Sequence, residues 1–118
     1  MPKTVLIVDD HPSFRASARL LLEAGGYEVL GEADDGRSAL DATDRLGPDI
    51  VLLDVRLPDM DGFEVARQML EENGQALQVV LTSSHDLSDL GGDAGGNGVR
   101  GFIPKAELTG DRIRDLLR

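Results

Sequence analysis

The sequence predicts an α/β fold: one domain over residues 1–118, built as a doubly wound five-stranded parallel sheet of order 2-1-3-4-5. Three observations predict it. The chain has 118 residues, the size of one domain around one core. Its apolar runs are short, mostly continuous and β-branched, as in strands covered on both faces. Those runs alternate with segments of helical period, and such alternation builds parallel sheets.

The elements follow in order. Strands are expected at Val5–Val8, Val29–Ala33, Ile50–Leu53, Val79–Leu81 and Gly101–Ile103. Phe14, Ala18, Leu21 and Leu22 share one face of a first helix. Ala39, Ala42 and Leu46 mark a second, and Ala66, Met69 and Leu70 a third. Ile113, Leu116 and Leu117 mark a closing helix, with Thr109 placed to cap it. The connection between the fourth and fifth strands differs. Gly91, Gly92, Gly95, Gly96, Gly98 and Gly101 crowd it. Glycine inside a helix costs about 1 kcal/mol relative to alanine. A shortened or disordered helix is expected there, with Leu87 to Leu90 managing a turn at most.

Composition narrows the function. The formal net charge of −10 repels nucleic-acid phosphates, which argues against direct nucleic-acid binding. There is no Cys, so neither disulfides nor thiolate metal sites can form. The run Val5–Val8 is too short for a signal-peptide core or a membrane span. A cytoplasmic protein without membrane contact is expected.

Most of the 22 acidic residues read as solvated surface. Three do not. Asp9 and Asp10 directly follow the first strand, and Asp54 directly follows the third. Ligands of open parallel sheets bind beyond the carboxyl strand ends, where the winding reverses. With strands one and three adjacent, the three carboxylates converge and disfavour one another's charge. A hard divalent cation, Mg²⁺ or a similar ion such as Mn²⁺, relieves that conflict through oxygen ligands. Thr82 ends the fourth strand, and Lys105 follows the fifth after Pro104. An ammonium and a hydroxyl at this edge could neutralise and hydrogen-bond a phosphoryl group.

These residues carry a family resemblance. The blocks VLIVDDHPSFR, DIVLLDVRLPDMDG, VVLTSS and GFIPK resemble receiver domains of two-component response regulators, and the likeness covers essentially the whole chain. DDHPSFR with GFIPKAEL looks most like receivers often joined to a helix-turn-helix DNA-binding domain, which these 118 residues do not contain. The resemblance implies a flavodoxin-like sheet and a signalling switch that catalyses its own phosphorylation and dephosphorylation. It implies that Asp54 accepts a phosphoryl group from a sensor histidine kinase. Asp9 and Asp10 would place the metal, and the Arg56 backbone carbonyl would complete its shell. Lys105 would pair with the phosphoryl group. Thr82 and Phe102 would form the switch, and Arg56 and Ser84 would tune dephosphorylation. Pro58 and Gly62 match the loop after the acceptor strand. A downstream protein, or a DNA-binding domain absent from this chain, would receive the signal.

Departures matter too. The glycine run replaces the amphipathic helix usual in the family, and Val99 stands where Ala is common. Many relatives place Pro after the lysine, whereas here Ala106 follows Lys105, so a cis bond is not expected. His11 reads as a helix-start or loop residue and His85 as exposed. Arg112, Arg114 and Arg118 read as a solvated helix end. Two other classes compete. An aspartyl phosphohydrolase needs a second acid two residues after its nucleophile, and Arg56 stands there. An unphosphorylated receiver-like interaction module is the alternative reading. Its flavin-binding version is disfavoured by the absence of Trp and the single Tyr27.

Overall fold

A computed structural model describes residues 2–73, 76–84 and 99–117. The elements run β1 (Thr4–Val8), α1 (Pro12–Ala24), β2 (Glu28–Ala33), α2 (Gly36–Leu46), β3 (Ile50–Asp54), α3 (Gly62–Asn73), β4 (Gln78–Ser83) and β5 (Gly101–Pro104). A 3-10 turn, Lys105–Glu107, leads into the last helix, α4 (Gly110–Leu117). The five strands pair in parallel, as the alternating pattern implied, and in the expected order β2-β1-β3-β4-β5. The helix expected to be short between β4 and β5, and His85, lie outside the described residues.

Six expected strand boundaries move by one or two residues, two of them at the carboxyl ends of β3 and β4. Asp54 is the last residue of β3 and pairs with Thr82 of β4, and β4 continues to Ser83. The ladder extends because the Val55 N–H still donates to the Thr82 carbonyl at 3.0 Å. Polar residues thus enter the strand ends where periodicity alone stops at the last apolar residue.

All five residues of β3 are buried, because both faces of the sheet are covered. Strand alternation sends successive side chains to opposite layers. Leu6, Val8, Val51, Leu53, Val79 and Leu81 pack with Ala39, Ala42, Val65 and Met69 of α2 and α3. Val5, Ile7, Ile50, Leu52, Val80 and Ile103 pack with Ala18, Leu22 and Ile113 of α1 and α4. Burying each such large aliphatic side chain contributes roughly 1.5–3 kcal/mol.

The helix starts follow local chemistry. Pro12 opens α1, where its missing N–H and fixed φ cost nothing. Asp35 caps α2 with a reciprocal Ser38 bond. Thr109 Oγ1 accepts the Arg112 N–H at 3.1 Å and caps α4, as its position suggested. Gly62 at the start of α3 is set by close approach. A Cβ there would stand 2.3 Å from the Asp54 carbonyl oxygen and 2.5 Å from Val55 Cα.

Candidate functional site

The site forms where the carboxyl ends of β1, β3, β4 and β5 meet. Asp9 follows Val8, Asp54 ends β3, Thr82 lies within the end of β4, and Lys105 follows Pro104. All four share the strand parity of the α1/α4 layer, so their side chains leave the sheet on one side. Short turns after buried strands position them firmly, since the strand backbones are locked in the ladder.

Lys105 Nζ lies 2.6 Å from Asp9 Oδ2 and 3.0 Å from Asp54 Oδ2. It also stands 4.6 Å from the centre of the Phe14 ring, which α1 presents beneath it. Asp9 has no exposed surface, and Asp54 is 4% exposed. Their surroundings push the two acids in opposite directions. Burial pushes the Asp54 carboxyl above its usual range, outweighing the Arg56 N–H and the Lys105 ammonium, and the Asp9 charge adds to the rise. Burial also opposes ionisation of Asp9, but Lys105 and the backbone and ring of His11 outweigh it and hold that carboxyl below its usual range. Burial works against the Lys105 charge, yet the hydrogen bonds to Asp9 and Asp54 raise its pKa.

The remaining predicted residues divide. Asp10 is exposed, and its Oδ1 lies 3.0 Å from His11 Nδ1. The Arg56 side chain is exposed while its N–H donates to Asp54 Oδ1 at 3.0 Å. Thr82 is wholly buried, and its hydroxyl oxygen has no hydrogen-bond partner among the described residues. Paired beside Asp54, that hydroxyl faces the same side of the sheet. Ser84 is exposed just beyond β4. Phe102 is not brought to this side. It pairs with Leu81, is half-buried, and packs against the α2/α3 layer. Thr82 instead pairs with Ile103.

Three contributors were missed in the sequence. His11 does start α1, as expected, but its ring also enters the acidic cluster, with Nδ1 2.9 Å from Asp9 Oδ1. Asp9, Asp10, His11 and Asp54 each offer a ligand atom, all within 4.8 Å of one another. Adjacency to the acidic pair was the available signal. Phe14 read only as core, and its ring supports Lys105. Arg15 donates to the Asp9 carbonyl at 2.6 Å and to Glu32 at 2.9 Å, tying α1 to the end of β1. The oxygen-rich donors, beside a lysine and an orphaned hydroxyl, suit a divalent cation with an anionic group.

Comparison with known proteins gives the family. The family model for the response regulator receiver domain matches residues 5–118. The nitrate/nitrite response regulator protein NarP of Escherichia coli is 41% identical over 100 residues, covering 82% of this chain and 46% of NarP. The virulence regulator BvgA of Bordetella pertussis is 36% identical over 107 residues, covering 91% of this chain and 51% of BvgA. A protein-glutamate methylesterase/protein-glutamine glutaminase of Hahella chejuensis is 44% identical over 85 residues, 72% of this chain but 24% of that protein. The chain thus spans about half or less of these relatives. Among solved structures, a LuxR-family two-component response regulator from Aurantimonas has a TM-score of 0.85 at 30% identity, covering 99% of this chain and 86% of that one. A CheX–CheY–BeF3–Mg²⁺ complex from Borrelia burgdorferi gives 0.85 at 26% identity, covering 99% and 87%. The chain belongs to the response regulator receiver domain family and is a receiver of two-component signalling.

Proposed function

We propose that this receiver accepts a phosphoryl group on the Asp54 carboxylate, with a divalent cation held by Asp9, Asp10, Asp54 and the Arg56 backbone carbonyl. One observation carries the reading. A buried, lysine-bridged pair of acids, Asp9 and Asp54, stands beside the Thr82 hydroxyl, which has no hydrogen-bond partner among the described residues. Buried like charges are costly, and their retention at a strand end suits a site that takes a cation and an anion together. The Borrelia relative, solved with Mg²⁺ and BeF3, supports the same ligand pair.

In the transfer, an Asp54 oxygen attacks the phosphorus of a phosphohistidine on a sensor kinase. The P–N bond breaks, and the imidazole leaves with the bonding pair. Lys105 neutralises charge on the transferred oxygens, and Thr82 donates its hydroxyl hydrogen to one of them. A Mg²⁺ or Mn²⁺ held by Asp9, Asp10 and Asp54 would supply further neutralisation of negative charge. Movement of Thr82 toward the phosphoryl group would shift a two-state equilibrium, in which Phe102 would have to turn from the α2/α3 face where its ring now packs. Arg56 and Ser84 would set how fast water removes the group. The reaction would take place in the cytoplasm, with the output passed to a downstream protein or a DNA-binding domain.

Incubation with Mg²⁺ and acetyl phosphate, read by intact mass, tests the proposal. One added phosphoryl group is expected on the parent chain and none on Asp54→Asn. Equal uptake by the Asn variant would exclude Asp54 as acceptor. No uptake by the parent chain would favour an unphosphorylated interaction module.

A further inference from the structure

We infer that His11 is a nitrogen ligand to the divalent cation of this site, and that it tilts selectivity from Mg²⁺ toward Mn²⁺, Co²⁺ and Ni²⁺. The inference deepens the phosphoacceptor reading and rests on its cation site.

Geometry carries it. The Nδ1 atom of His11 lies 2.9 Å from Asp9 Oδ1 and 3.0 Å from Asp10 Oδ1. Adjacent donors on an octahedral ion with bonds of ~2.1 Å also stand ~3.0 Å apart, so a cation can replace the proton that Nδ1 shares with these carboxylates without a change of spacing. The His11 N–H donates to Asp9 Oδ1 at 2.8 Å, which ties the start of α1 to that carboxylate. The His11 side chain is 63% exposed, leaving the ring room to turn. The Thr82 hydroxyl, buried beside Asp54 and without a hydrogen-bond partner among the described residues, independently marks this pocket as one that takes a ligand.

Chemistry decides the direction. Mg²⁺ prefers oxygen and keeps its waters, so an imidazole gains it little. Affinity for nitrogen rises from Mn²⁺ through Co²⁺ to Ni²⁺. A site of carboxylates plus one imidazole separates these ions from Mg²⁺ more than carboxylates alone.

The test compares the parent chain with His11→Ala and His11→Asn, each checked for folding by circular dichroism. Calorimetric titration with NiCl2 should show Ni²⁺ affinity falling about tenfold or more in both variants, with Mg²⁺ affinity changing less than about threefold. Electron spin-echo modulation of the Mn²⁺-loaded chain should show nitrogen coupling that both variants lose. An unchanged ratio of Ni²⁺ to Mg²⁺ affinity, with no nitrogen coupling in the parent chain, overturns the assignment. Nitrogen coupling in a chain that takes no phosphoryl group from acetyl phosphate supports the ligand and removes only the phosphoacceptor reading. Failure of the parent chain to bind Mn²⁺ overturns both.

Discussion

The Lys105 ammonium lies 2.6 Å from the carboxylate of Asp9, a residue with no exposed surface. The same nitrogen reaches Asp54 at 3.0 Å. One cation therefore compensates two buried acids.

Removing that cation should be expensive. Lys105→Met leaves two buried carboxylates uncompensated and should cost about 3–5 kcal/mol at neutral pH. The raised Lys105 pKa fixes the wild-type behaviour. Its stabilisation is complete below the unfolded lysine value of about 10.4 and is lost as pH rises through the higher folded value. Urea melts at pH 7 and pH 10–11 check both halves. A variant as stable as wild type at pH 7 would show that the bridge contributes nothing.

Asp54→Asn should change stability the other way. Burial raises the Asp54 pKa, so its ionised form strains the folded state above that value. The strain is relieved as pH falls through the raised value and is gone below the unfolded value of about 3.9. The Asn variant should gain on the order of 1 kcal/mol at pH 7, or about 4 °C in Tm. Thermal melts from pH 3 to 7 should show the gain shrinking toward acid. A constant gain would point to a cause other than charge.

Thr82→Val separates folding from signalling. The hydroxyl is buried without a partner among the described residues, so an isosteric methyl should stabilise by on the order of 1 kcal/mol. Under the proposed function the variant still takes phosphate from acetyl phosphate, but its NMR spectrum shifts less on phosphorylation. A loss of stability would mean that the hydroxyl has a partner in solution.

Gly62→Ala should perturb the acceptor from outside the pocket. The added Cβ would meet Asp54 and Val55 backbone atoms at 2.3 and 2.5 Å, which no rotamer can relieve. A cost of about 3 kcal/mol or more is expected from the forced backbone shift. Denaturant melts and the labelling rate from acetyl phosphate should both report it.

Much was legible because it is local. The strands showed as continuous apolar runs, and Asp9, Asp54 and Lys105 sat where those runs end. A strand end in a parallel sheet is a place, so the sequence could assemble the acids, the lysine and Thr82 before any contact was seen. The tertiary structure decided the rest. Register puts Phe102 beside Leu81, on the opposite face from Thr82. Asp59, which reads as an ordinary loop acid, accepts the Gly36 and Arg37 N–H groups at 2.7 and 3.0 Å and so ties the loop after β3 to the start of α2. The Phe14 ring meets Lys105, and the His11 ring turns into the acids. Periodicity tells which residues are buried and where an element ends. It carries no information on which distant side chain a given atom will face, because chain packing and strand register set that.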